Sequence, residues 1–337
     1  MMEGCAVKHV VKGFEHVPGV HCGSTALADV LRFYGLPLDE AACFGLGSGL
    51  DFIYVESDQL SPTRFFNGRT PSLEPTLFQH LGLDVDWNRS ETFPWSAIRQ
   101  YVARDIPVFV LTDLYYLDYY KTKTHFSLHG VLVVGFDDER GVCLTADTDR
   151  EGIQETSIES LRLAMSSTEG AVPLSYPWFA VEAFPEVDLS RAARRAIART
   201  ASRMVSPPDA STGIPAMERF VEGLPDWGEL ADWKWAARFG YQVIERRGTG
   251  GGAFRAMYAR FLSEAQSRFG VEELRELQAS WRMERIAGGW RELGKEFRRI
   301  SEGQQPKFAA AAVLARELLE QERQFFQDLY CRFVPGP

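Results

Sequence analysis

The apolar pattern changes character once along the 337 residues, near residue 190, and that change limits the fold more than any single motif does. Before it, short β-rich runs (Pro107–Leu111, Val131–Phe136 and Val142–Ala146) are separated by turn residues and preceded by helix-like stretches. Runs of this length and composition read as strands. After it, from Met217 to Tyr330, nearly every segment fits helical spacing, with breaks expected at Gly248–Gly252, Gly288–Gly289 and Gly303–Pro306. Helix, then antiparallel strands, then helices predicts an α+β domain over residues 1–186 and a mainly α-helical C-terminal domain over 187–337. The Ser/Pro-rich stretch Ser206–Gly213 has the composition of a loop near that boundary.

Individual elements follow from spacing. Leu27, Val30, Leu31 and Tyr34 share one helical face, predicting a helix over Ser24–Tyr34 that Gly35 and Pro37 terminate. Helices are also predicted over Ser72–Leu81, Phe93–Ala103, Leu189–Val205 and Phe308–Phe326. Gly45–Leu50 is too rich in glycine for a helix, and Phe52–Val55 reads as a short strand.

Charge narrows the partners. Residues 1–190 carry 27 Asp+Glu against 13 Lys+Arg, a net of −14, and lack a basic stripe interleaved with aromatics, so nucleic acid is not an expected partner. The mildly basic remainder suits either the solvated faces of helices or an acidic partner, and its long amphipathic segments suit either a domain interior or a homodimer seam. No apolar run reaches the roughly 18 residues of a membrane span, and the N-terminus lacks the basic and apolar stretches of a secretory signal. The five cysteines form no CxxC pair, so neither a metal site nor a disulfide framework is signalled. A cytoplasmic protein with reduced thiols is expected.

Against this background one cysteine stands out. Cys22, followed by Gly23, Ser24 and Thr25, sits where a loop becomes a helix. Unpaired N–H groups and the positive end of the helix dipole lower a thiol pKa there and make it a nucleophile. A buried cysteine packing as a small apolar residue is the plainer use of the position. Downstream, His129 opens the Val131–Phe136 strand and Asp147 closes Val142–Ala146. A hairpin folded near residue 138 or 139 sets His129 opposite Asp147 or Thr148, close enough for a carboxylate to hold the imidazole. Asp149 is the fallback carboxylate, and His125 would share a face with His129 if the segment were extended. The Tyr115-Tyr116 and Tyr119-Tyr120 run suggests an acceptor pocket for a polar or cationic substrate. Gly248-Thr249-Gly250-Gly251-Gly252 precedes an apparent helix, with Arg246, Arg247 and Arg255 nearby. It suits either a phosphate cradle or a tight interhelical turn, and Glu245 either pairs with Arg255 or binds an amine.

The stretches His21-Cys-Gly-Ser-Thr-Ala-Leu27, Leu31-Arg-Phe-Tyr-Gly35, Phe44-Gly-Leu-Gly-Ser-Gly49 and His129 with Val133-Val-Gly-Phe-Asp137 resemble the N-terminal domain of the butirosin biosynthesis protein H family. Glu245–Gly252 with Phe254-Arg-Ala-Met-Tyr258 and Phe261-Leu-Ser-Glu-Ala265 resembles the helical domain of unknown function, DUF4872-like, that often follows it. The resemblance implies a papain-like or C39-like cysteine-enzyme domain. It also implies an acyltransferase that takes an aminoacyl group from the phosphopantetheine arm of an acyl or peptidyl carrier protein and passes it to an aminoglycoside amine. No other cofactor is implied. On that resemblance Cys22 is the nucleophile, His129 the base and Asp147 the orienting carboxylate. A glutamine about six positions before the cysteine helps stabilise the oxyanion in papain-like enzymes; His16 stands here, and with Gly23 it is the expected oxyanion donor. Glu245, Thr249, Gly250 and Arg255 are expected substrate contacts. A hydrolase using the same three residues is the alternative activity.

Overall fold

The computed structural model describes residues 7–334. In chain order its first elements are β1 (Lys8–Val10), α1 (Cys22–Phe33), α2 (Glu40–Leu46), β2 (Leu50–Glu56), β3 (Arg64–Arg69) and α3 (Leu73–His80). Then come α4 (Trp95–Ala103), β4 (Val108–Thr112), β5 (His129–Asp137), β6 (Val142–Ala146), β7 (Gln154–Ser157), α5 (Ile158–Met165) and β8 (Trp178–Ala180). The remainder is helical: α6 (Leu189–Val205), α7 (Gly213–Gly223), α8 (Trp233–Glu245), α9 (Arg255–Ser267), α10 (Glu273–Glu276), α11 (Ala279–Glu302) and α12 (Ala309–Phe333). The fold is α+β with a helical C-terminal region.

The chain forms two compact units. One comprises residues up to Cys43 together with Gly82–Glu186; the other comprises Phe44–Leu81 and Val187 onward. The division at 186/187 expected from sequence therefore assigns residues 44–81 to a different unit from the one they pack in. The reason is pairing: the β2–β3 ribbon contacts α6, α7 and α8, and Ile53 bridges to Thr212.

The first unit is built on one antiparallel sheet in the order β7-β6-β5-β4-β8. All nine residues of β5 are buried, as a strand with neighbours on both edges and a helix on one face requires. β1 takes over the β4 edge of β5, pairing Val10 with Gly135 where β4 has ended at Val133. Helix α1 packs on β5, and its end is fixed as the sequence predicts. Gly35 adopts a φ of +81°, and Leu36 N–H returns to Leu31 O, closing the C-terminal turn. Gly130 is where the helix start meets the sheet: a Cβ there would lie 2.8 Å from the Phe109 ring and 3.8 Å from the Cys22 carbonyl carbon.

The second unit buries an aromatic cluster of Phe52, Phe66, Phe220, Trp227, Trp290 and Phe297. Two expected glycine breaks are not breaks. Helix α11 runs through Gly288–Gly289 because Leu318 packs so close to Gly289 that a Cβ would sit 2.7 Å from it. Helix α2 includes Gly45, against which the Phe261 ring lies flush. In both places glycine serves close packing rather than chain reversal.

Candidate active site

The site is assembled from the start of α1, the start of β5 and the exit from β6. His21 is the N-cap residue of α1: its ring Nδ1 accepts the Ser24 N–H at 3.2 Å, and Thr25 N–H makes the first helical bond to His21 O. Cys22 and Gly23 thus occupy the first two helical positions, with Cys22 half-buried and Gly23 buried. Accepting at Nδ1 requires a neutral ring, so His21 serves as a cap.

His129 lies across from this helix start. Its Nε2 bonds Asp147 Oδ1 at 2.8 Å and lies 3.3 Å from the Tyr120 hydroxyl, and the ring also hydrogen-bonds the Cys22 thiol. Burial opposes a charge on His129, but Asp147 and then Cys22 outweigh it and raise the imidazole to about 10. Burial likewise opposes ionisation of Asp147; His129 and the Tyr119 hydroxyl reverse that and hold the carboxyl below its ordinary range. Together the two shifts span a wide pH window. The raised imidazole stabilises the fold below 6.5 and loses that contribution as pH rises through about 10. The depressed carboxylate contributes above 3.8 and is lost as pH falls through its lower folded value.

The structure brings Cys22, His129 and Asp147 together, by a register different from the expected one. The β5–β6 ladder pairs Asp137 with Val142 and Leu132 with Ala146, with one extra β5 residue between Val133 and Gly135. Continued past Ala146, that register places Asp147 opposite Val131. Asp147 is thus a diagonal neighbour of His129 on the same face, within reach of a side-chain contact. Asp149, the fallback, instead receives the Tyr120 hydroxyl at 3.5 Å.

His16 departs from expectation. Its Nδ1 bonds Asp29 Oδ2 at 2.5 Å, and its Nε2 is shared between the carbonyl oxygens of Asp147 and Arg150, both at 3.1 Å. Both ring nitrogens therefore face acceptors, and neither N–H is left to meet an oxyanion at Cys22. His125 turns away as well: Leu128 adopts a φ of +63°, the segment is not extended, and His125 Nδ1 bonds Asp113 at 2.8 Å. The tyrosine run is not an open pocket. Tyr119 donates to Asp147 Oδ2 at 2.7 Å, and Tyr120 sets its ring edge-on to His129 with the Arg150 guanidinium 4.4 Å from its centroid. The tyrosines stand out in the sequence but their role does not, since Tyr119 meets a carboxylate 28 residues on and Tyr120 meets a histidine nine residues on.

Glu245, Thr249, Gly250 and Arg255 belong to the second unit, and internal bonds account for three of them. Thr249 Oγ1 donates to Ile244 O and accepts Gly251 N–H, while Glu245 accepts Gly252 N–H. Ala253 N–H bonds Ile244 O, so the loop satisfies itself rather than presenting a phosphate cradle. Gly250 opens a run of positive φ continuing through Gly251, Gly252, Ala253 and Phe254, a left-handed path that glycine makes affordable. Arg255 is fully buried and bound to Glu322. Among the described residues there is no group of three or more His, Cys, Asp or Glu able to hold a metal, and no disulfide. Among the same residues no helix is long and apolar enough to cross a membrane.

The model for the domain of unknown function DUF4872 matches residues 159–329, just over half of the chain. The chain belongs to that family. Residues 21–148 of this DUF4872 protein match the model described as "Butirosin biosynthesis protein H, N-terminal", and that match contains Cys22, His129 and Asp147. No curated protein matches. Among solved structures, a protein described as a C39-like peptidase from Bacillus anthracis aligns at 13% identity with a TM-score of 0.38, covering 53% of this chain and 99% of its own.

Proposed function

We propose that the protein is a cysteine-dependent acyltransferase that forms an amide from a carrier-protein thioester by way of an acyl-Cys22 intermediate. The observation that carries the reading is the continuous chain from the Cys22 thiol through His129 to Asp147, laid across a helix start. Cys22 sulfur attacks the thioester carbonyl, and the phosphopantetheine sulfur leaves, taking a proton from the His129 imidazolium. An amine then attacks the acyl-Cys22 carbonyl, His129 accepts the amine proton, and Cys22 departs as thiolate. Thiol-to-thiol exchange is nearly balanced, while amide formation draws the sequence forward. With His16 committed elsewhere, the Gly23 N–H at the positive end of α1 is the donor that this reading assigns to the oxyanion. The match to the butirosin biosynthesis protein H N-terminal model supports a cysteine-enzyme domain; carrier-bound donors and amine acceptors are what that resemblance implies.

Intact-mass analysis with an acylated carrier protein tests transfer against hydrolysis. An acyl adduct on Cys22 is expected to accumulate without acceptor and to discharge into amide when an amine is added. Release of free acid at the same rate with and without amine would identify a hydrolase instead.

A further inference from the structure

His16 does something the three reacting residues do not explain. It sits in the loop before α1 with its side chain only 3% exposed, and it ties two elements together. On one side is Asp29, in the middle of α1 and 1% exposed, which also accepts Val17 N–H at 3.1 Å and the Arg32 guanidinium at 2.7 Å. On the other are the carbonyls of Asp147 and Arg150, the two ends of the turn closed by Arg150 N–H to Asp147 O. A carboxylate at one nitrogen and carbonyls at the other require both to carry hydrogen, so the ring is an imidazolium. Burial works against that charge, but Asp29 and the two carbonyls more than offset it, and the pKa is raised. Gly19 N–H to Thr148 O ties the same loop to the same turn.

We propose that the buried His16–Asp29 pair is a positioning device that holds the backbone of Asp147, and through it the carboxylate that orients His129. The inference rests on Cys22, His129 and Asp147 being the reacting set, to which it adds a protonation requirement at a ring that touches the Asp147 backbone. Charged groups around His16 are Asp29 and Arg32 on α1, Asp147, Asp149 and Arg150 on the turn, and Glu15 beside it in the loop. Deprotonation removes one of the two donors, so either the α1 anchor or the turn anchor is released. The raised pKa sets the direction: the clamp is complete below 6.5 and is lost as pH rises through the higher folded value.

Histidine-labelled full-length protein, with its six histidines assigned by NMR, tests this directly. In the wild type, His16 is expected as a doubly protonated ring at pH 6, and the His129 resonances are expected to move at the pH where His16 loses its proton. In Asp29→Asn, His16 becomes neutral at lower pH, and the His129 titration falls by about one pH unit as its carboxylate loosens. His16→Gln, which keeps a donor but no charge, should shift His129 in the same direction. A neutral His16 at pH 6, or a His129 that ignores His16 titration in the wild type, would overturn the clamp, as would an unchanged His129 in a folded variant. The wild-type arm decides even if neither variant folds. Failure of the enzymatic reading would look different: His129 would still respond to His16, while no acyl adduct formed on Cys22.

Discussion

Replacing Cys22 by alanine is expected to lower acyl transfer by at least about 10³-fold, with no adduct in the intact mass and no change in the folded state. The size follows from the role. In a covalent mechanism the lost sulfur removes the intermediate itself, not one interaction among several, and leaves no acyl-Cys22 for the amine that His129 would deprotonate. The fold should tolerate the change, because alanine fits the first helical position and His21 still caps Ser24. Cys22→Ser is a sharper variant: it keeps a hydrogen-bonding group toward His129 but offers a weaker nucleophile. Transfer by Cys22→Ala at the wild-type rate would rule out the covalent route.

The second large effect concerns stability. Arg255→Ala is expected to destabilise the second unit by about 3–5 kcal/mol, since it leaves a buried carboxylate without its counter-charge. Arg255 Nε and Nη2 bond both oxygens of Glu322, at 2.8 and 2.9 Å, with both side chains fully buried. Trp290 Nε1 donates to the same carboxylate, the guanidinium lies 4.9 Å from the Trp290 ring centroid, and Arg255 Nη1 reaches the carbonyls of Asp51 and Ala253. Removing the arginine leaves Glu322 without its counter-charge and the Asp51 and Ala253 carbonyls without this donor, whereas the double change Arg255→Met with Glu322→Met removes both charges and should recover much of the loss. Thermal unfolding checks it: the single variant should melt about 10 °C lower or more, and the double variant should lie between it and the wild type. A single variant as stable as the wild type would contradict the account of this network.

Much of this was legible in residue order, and the failures have particular causes. Helix α6 and the end of α1 followed from apolar spacing and terminating residues, because those signals are local. The His129–Asp147 pair was legible because a hairpin is also local, although the extra residue in β5 altered the register and only a diagonal contact on the same face kept the partner. Residues 44–81 could not be assigned to their unit, since the β2–β3 ribbon packs on helices more than a hundred positions away. His16 was misread by position. Its partner Asp29 lies in the middle of an amphipathic helix, and nothing in the local pattern says that a carboxylate there is buried. The glycine loop before α9 was open to two readings because its acceptors, Ile244 O and Glu245, belong to the preceding helix and its end.

On the proposed mechanism, surroundings rather than chance exposure set the reactivity of the Cys22 thiol. Cys143, on β6 of the same unit, supplies the contrast, its thiol pushed up to about 12 by burial. The direct measurement is the rate of Cys22 alkylation by iodoacetamide against pH, mapped by peptide so that exposed Cys331 is counted separately. An inflection well below the ordinary value of about 8.5, moving up toward it in His129→Gln, is the predicted result. An inflection near 8.5 in the wild type, unmoved by His129→Gln, would contradict it.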